Sequence, residues 1–348
     1  MNPFVAGIQL SSLALGVTVT FACTLCLLPW LALAIYMLPN GLLMAQRHDP
    51  SADEVTTKYS LTQATAGAMM LLASTTHAWV TWDWDVNNSS NPVATTLSMA
   101  ALALKIGLAP MHLWMSEILQ ALHLLTALVM SSCQQLALFA LIIQTAQDID
   151  PLLLWLLGIT STLIRGWGGL NETQLRKILA YTSIAHIGCM ILVFQFAPLL
   201  SMLVLATFII MSSGTLLTSK MCMTSKFNTL ATSWSKSPMP ASTSAVVLLS
   251  LGGLPRLTGF MPKWLIMQAL SMQDVPIIAM TMAVAALIRL YFYLRLCYAM
   301  TLPVCPNTTI ATTPWRTQSS QTPLPPPLFF TATLGLLAMT PTNLMLTT

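Results

Sequence analysis

"LALKIGLAPMHLWMSEI", residues 102–118, decides how this chain folds. It starts as an apolar helix and then meets Lys105, Pro110, His112 and Glu117 within the length of one membrane span. Proline removes a backbone donor and clashes with the preceding turn, so a helix entering this stretch must break. The surrounding chain is 55% hydrophobic and 7% charged over 348 residues, with a mean hydropathy of +0.74. Soluble domains carry about 25% charged residues. This chain cannot cover a globular surface with polar groups, and it reads as a polytopic membrane protein.

About eleven stretches reach the roughly 20 apolar residues that a span requires. They lie near 4–22, 25–45, 60–80, 95–121, 124–145, 150–170, 174–195, 198–219, 240–270, 276–299 and 326–346, with 95–121 and 240–270 internally broken. In lipid each segment must satisfy its own backbone, so the expected fold is all-α, a transmembrane helical bundle. The short alternating segments of a β-barrel are not seen. The expected organisation is one membrane domain, with halves at 1–170 and 171–300 and a C-terminal extension over 301–348 that carries the last helix. The N-terminus has no basic region ahead of its apolar run, so the first helix is expected to be kept.

Several functional classes fall away. The seven cysteines are scattered, and Cys23 and Cys26 in "FACTLCLL" lie in an apolar run with no second pair, which reads as packing. No phosphate-binding glycine motif is present. A net charge of +4 gives no reason to expect a nucleic-acid partner. The methionines do not cluster with His or Cys, and no metal site is expected.

The loop cations are Arg47, Lys58, Arg176, Lys177, Lys220, Lys226, Lys236 and Arg316, all after even-numbered spans. The odd-numbered loops carry Asp83, Asp85, Asp148, Asp150 and Asp274. That asymmetry places the N-terminus and the even loops on the cytoplasm-like side, the matrix in a mitochondrion, and the C-terminus opposite. The pieces at 46–59, 220–239 and 300–325 read as extramembrane and are too short to form domains.

Lys105, Arg165, Arg256, Lys263, Arg289, Arg295 and Glu117 remain inside spans. A lysine at a helix centre costs about 2.5–3.5 kcal/mol on insertion scales. Arg295 and Arg165 lie near helix ends and can snorkel. Arg289 fits neither reading. Lys105 follows the uncharged stretch 95–104 and reads as a proton station or as a partner of Glu117. Gly107-x-x-Pro110 is echoed by Gly259-x-x-Pro262, each break with a lysine attached, as in transporters built from repeats. A buried ammonium gives up its proton more easily in low dielectric and holds it beside a carboxylate, so such a lysine can exchange protons. His112, Glu117 and His186 are candidate relays, and either histidine could instead be a satisfied packing residue.

At this point a family is legible. "TTKYSLTQATA" (56–66), "ALKIGLAPMHLW" (103–114), "GWGGLNETQLRKILAYTSIAHIG" (166–188), "LLSLGGLPRLTGFMPKWLI" (248–266) and "LYFYLRLCYAMTL" (290–302) together resemble the NADH-ubiquinone oxidoreductase chain 2 family, vertebrate and fish-like. The resemblance implies an antiporter-like subunit of respiratory complex I in the mitochondrial inner membrane. It implies proton translocation coupled to electron transfer, with other membrane-arm subunits and inner-membrane lipids as partners. NAD, FMN, iron–sulfur clusters and ubiquinone are then expected on other subunits, with no cofactor on this chain. Lys105, Lys263, His112 and Glu117 match the family's pattern. Ala34 stands where the family has a membrane glutamate, and Gln135 where it has a mid-membrane lysine. Ser116 and Arg256 replace prolines, Ala269 a glutamate, and Arg165 a glycine. Gln135 can hydrogen-bond but cannot carry a proton charge. The chain therefore reads as a proton-translocating subunit or as a scaffold with an impaired channel; a free-standing cation/proton antiporter is the remaining alternative.

Overall fold

Prolines start many of the helices, because their missing N–H and fixed φ suit the first helical position. In the computed structural model α1 (Pro3–Ala22), α3 (Pro50–Thr81), α4 (Pro92–Ile106), α8 (Pro151–Gly168) and α10 (Pro198–Met221) all begin this way, as do α12 (Pro238–Gly252) and α14 (Pro276–Thr301). The remaining helices are α2 (Leu27–Ala45), α5 (Leu113–Ala121), α6 (Leu124–Val129), α7 (Gln135–Thr145), α9 (Leu175–Phe194), the short α11 (Phe227–Ala231) and α13 (Phe260–Met272). A single π turn, Met130–Gln134, joins α6 to α7. The structure describes residues 3–22, 27–45, 50–85, 91–145, 149–222, 224, 226–233 and 238–301. The span expected at 326–346 and the Cys23/Cys26 pair lie outside these residues.

Each expected span up to residue 299 coincides with a helix or a broken pair. Within the piece read as extramembrane, α3 is already helical from Pro50. Asp53 in its first turn suits the positive end of a helix, and hydropathy alone cannot register such a polar start.

Two compact units are present. Unit 1 comprises Met1–Ser161 and Met190–Pro198, and unit 2 Thr162–Cys189 and Leu199–Thr348. In unit 1 the packed interior includes Ala32, Met99, Leu102, Leu108, Ile118 and Leu141; in unit 2 it includes Ala180, Ile184, Leu270, Ala285 and Met300. Large apolar side chains also face outward, among them Leu38, Leu61, Leu199, Ile277 and Leu287. Helices that are apolar on both faces fit a lipid surround. Serines and threonines inside the helices return their hydroxyls to the preceding turn, as with Thr207 to the Val204 carbonyl at 2.9 Å and Ser183 to Ala180 at 2.8 Å. No such hydroxyl needs water. This is a multi-pass membrane protein.

Candidate functional site

The first break follows α4. Its glycine, Gly107, sits at φ 80, where a side chain is disfavoured. The Gly107 N–H donates to the Ala103 and Leu104 carbonyls at 2.9 and 3.2 Å, and the Leu108 N–H to Ala103 at 2.9 Å. The last carbonyls of a helix have no partner within it. Here the Trp114 indole N–H donates to Leu104 at 3.1 Å. Amides of Gln63 and Gln134 donate to the Lys105 carbonyl at 3.3 and 3.2 Å. The α4 terminus is thus capped by neutral donors. Lys105 is only 4% exposed, and among the described residues no carboxylate lies within ion-pair distance of its ammonium.

Glu117 turns elsewhere. It accepts from Lys58 at 2.9 Å, and Lys58 also meets Glu54 at 2.8 Å, all at partly exposed positions. Glu54 and Glu117 together hold the Lys58 pKa above its ordinary value, and Lys58 lowers that of Glu54. His112 is half-buried at the start of α5, where its carbonyl accepts from the Met115 N–H at 3.2 Å. Gln135 is buried directly after the π turn, and neither its amide nitrogen nor its oxygen has a partner among the described residues. Of the candidate residues in unit 1, Lys105 ends α4, where Gln63 and Gln134 reach its carbonyl, Gln135 lies on α7, and Glu117 belongs to a surface ion cluster.

The second break follows α12, and its hinge is not the glycine that the sequence echo suggests. Gly253 takes the left-handed conformation, φ 82, while Gly259 has an ordinary helical φ of −70. Pro262 lies inside the first turn of α13, unlike Pro110, which precedes α5. The true echo is Gly107-Leu108 with Gly253-Leu254. Gly253 N–H reaches Leu249 and Ser250 at 3.2 and 2.9 Å, and Leu254 N–H reaches Leu249 at 3.4 Å. Gly259 has a different task, since a Cβ there would overlap the Ser250 carbonyl oxygen. The Ser250 and Thr258 hydroxyls meet at 3.0 Å and tie the break shut.

Lys263 supplies the cap at this break. Its ammonium donates to the Leu251 and Gly252 carbonyls at 3.0 and 2.7 Å. A cation at a helix C-terminus opposes the negative end of the helix dipole. A cavity of about 20 Å³ lies beside it, lined by His186, Cys189, Thr207, Met211 and Lys263 among others. That volume holds one water. His186 is 8% exposed, stacks on Phe208 at 4.8 Å between ring centres, and has an Nε2 without a partner among the described residues.

Arg289, unaccounted for by the sequence, joins this site. It is buried, donates from Nη2 to the Cys189 sulfur at 3.5 Å and from Nε to the Ala285 carbonyl at 3.4 Å. It therefore puts a permanent positive charge behind the cavity wall. Cys189 and Arg289 are one hundred positions apart, and no local pattern links them. Gln63 and Gln134 had a visible signal, polar amides in otherwise apolar spans.

The sequence pattern of the family described as "NADH:quinone oxidoreductase/Mrp antiporter, TM" matches residues 24–289, and that of "NADH dehydrogenase subunit 2 C-terminus" matches 290–344. The chain is 66% identical to NADH-ubiquinone oxidoreductase chain 2 of Carassius auratus over 348 residues, covering 100% of both chains. It belongs to the NADH-ubiquinone oxidoreductase chain 2 family. The chain 2 protein of Danio rerio is 56% identical over 348 residues, again covering 100% of both. In fold, this chain 2 member is similar to a chain of respiratory complex I from Thermus thermophilus, with TM-score 0.79 and 24% identity, covering 95% of this chain and 76% of that one. It is also similar to a chain of the Mrp complex from Dietzia sp. DQ12-45-1b, with TM-score 0.76 and 16% identity, covering 95% and 74%.

The residues that the resemblance marks as departures have definite places in this chain. Ala34 is on the exposed face of α2 and Ala269 is half-buried on α13. Ser116 is buried and donates to the Leu113 carbonyl at 2.8 Å. Arg256 is exposed in the second break at φ 78, a value no proline ring can reach.

Proposed function

We propose that the chain is a proton-translocating membrane-arm subunit of NADH:ubiquinone oxidoreductase in the mitochondrial inner membrane, with its N-terminus on the matrix side. Lys105 and Lys263 take up and release protons, while electrons pass from NADH to ubiquinone on neighbouring subunits that hold the FMN and iron–sulfur groups. The observation that carries this reading is the site in unit 2. There Lys263 and His186, whose Nε2 has no partner among the described residues, line one cavity sized for a single water. A proton can leave Nζ for that water and pass to the imidazole, because a helix terminus, not a carboxylate, holds the lysine in place. His112 and Glu117 offer exchange toward the surface, and Gln135 holds water in unit 1. The charge asymmetry of the loops supports the orientation.

The test is proton translocation per NADH oxidised by the complex in sealed vesicles. Lys263→Met and Lys105→Met should each lower the ratio while NADH oxidation continues. An unchanged ratio in both removes the stations.

A second reading, a scaffold with a silent channel, is favoured by residues 34 and 135. Ala34 presents only a methyl group on an outer face, and Gln135 cannot ionise. Ala34→Glu with Gln135→Lys raises the pumping ratio under this reading and leaves it unchanged under the first.

A further inference from the structure

Unit 2 has a charge problem that proton handling does not resolve. It contains eleven lysines and arginines, and its only carboxylate side chains are Glu172 and Asp274. Glu172 already faces Lys177 at 3.8 Å. Residues 302–348 add no aspartate or glutamate. Few carboxylates of its own are therefore available to the cations of this unit.

Arg165 is where that shortage is sharpest. It does not snorkel freely: it is 1% exposed, three positions before α8 ends at Gly168. None of its guanidinium nitrogens has a hydrogen-bond partner among the described residues. The group lies over the Tyr181 ring at 4.9 Å. Gly168 lets that ring lie flush, since a Cβ there would come within 3.1 Å of it. A guanidinium stays charged and offers five donors. Buried with none of them used, it is costly, and an anionic acceptor removes the cost.

The surroundings indicate which anion. The turn at 169–174 is ringed by cations. Arg176 and Lys177 open α9, the bridge between Gln174 and Lys226 places Lys226 at the turn, and Arg295 donates to the Leu170 carbonyl at 2.8 Å. Trp167, 78% exposed, stands in the same helical turn as Arg165. Tryptophans outside a helix end mark the headgroup level of a bilayer, and basic pockets at that level take anionic headgroups. A guanidinium fork matches phosphate oxygens in pairs.

The geometry points to a binding site for the phosphate of an anionic membrane lipid at this end of unit 2, with Arg165, preset on Tyr181, as its central contact and Arg176, Lys177 and Arg295 around it. Tyr181 is a positioning residue, and the exposed Trp167 marks the depth of the headgroup layer.

The test uses the assembled complex in phosphatidylcholine vesicles containing a trace of anionic phospholipid with a photoreactive group next to its phosphate. After illumination and digestion, labelling is read on the peptide spanning 162–181. Labelling should be strong in the wild type, competed by unlabelled anionic phospholipid and not by added phosphatidylcholine. Arg165→Gln should lower it about fivefold, the weight of one cation at a charged surface. Arg165→Lys should fall between, since an ammonium lacks the fork. The competition arm needs no variant and stands even if Arg165→Gln fails to assemble. Equal labelling by a photoreactive phosphatidylcholine, or labelling unchanged in Arg165→Gln, overturns the site. Competition by millimolar inorganic phosphate alone would make free phosphate the ligand and overturn the lipid assignment. So would a carboxylate of a neighbouring subunit found against Arg165 in the complex.

Discussion

The two broken helices share a backbone and divide over chemistry. Both stop at a glycine in the left-handed region, Gly107 at φ 80 and Gly253 at φ 82, followed by leucine, with matching N–H bonds back to the last turn. At the first break the free carbonyls are met by an indole and two glutamine amides, and Lys105 is not among the caps. At the second the lysine is the cap. One fold element thus gives two lysines different electrical settings. Lys105 is buried, and the bonds that cap its helix are made by others. Lys263 cannot lose its place without exposing the end of α12.

The comparison breaks most sharply at the glycines. Gly259→Ala should be the most damaging single change, because the new methyl group collides with the backbone carbonyl of Ser250, which cannot swing aside. Overpacking commonly costs about 1–3 kcal/mol and here should reach the top of that range or exceed it. The readout is loss of assembled complex on a native gel. Gly107→Ala meets the Met115 Cβ at 3.2 Å and keeps the left-handed strain. It should cost about 1–2 kcal/mol and lower the thermal midpoint without abolishing assembly.

The caps give the next effect. Lys263→Met removes a charged donor from two carbonyls and should destabilise by about 1.5–3 kcal/mol as well as impair pumping. Trp114→Phe removes one neutral bond and should cost about 1 kcal/mol with pumping intact. A pumping defect in Trp114→Phe as large as that of Lys263→Met would erase the distinction between structural and exchanging caps. Arg256→Gly then separates the breaks from the other side. It relieves a left-handed side chain that the first break lacks and should stabilise by about 1 kcal/mol in thermal unfolding.

The smallest effect lies at the surface. Glu54 has a depressed pKa next to Lys58. Its contribution is therefore present above the ordinary carboxylate range and fades as pH falls through the lowered value. Both groups are exposed, so Lys58→Ala should barely shift the thermal midpoint at neutral pH, and added salt should shrink even that.

Much of this was legible in the sequence. Hydropathy located the spans, proline and glycine located both breaks, and the unplaced charges singled out Lys105 and Lys263. What it hid has a common cause, contact across long separations. The pattern Gly-x-x-Pro pointed to Gly259, but the φ that makes a hinge falls on Gly253, and a repeat of residue types carries no dihedral angles. Glu117 reads from the sequence as a relay or as a partner of Lys105, yet Lys58 reaches it because α3 extends back to Pro50 through a polar turn. Arg289 had no reading until Cys189 and the cavity gave it one.

Gly253 and Lys263 also carry a consequence for how this protein can change over generations. A Cβ at 253 would fall 2.6 Å from the lysine nitrogen, so the ammonium occupies the space an alanine would need. The lysine end is flexible, so a side chain at 253 requires the ammonium to leave the two carbonyls it caps, and loss of the lysine at 263 removes that obstacle. Even then the left-handed backbone favours asparagine over other newcomers. Among living relatives, the residue at 253 should therefore act as a marker of whether 263 still holds its lysine, and a single lineage with lysine at 263 and a bulky residue at 253 would show that the ammonium can be seated some other way.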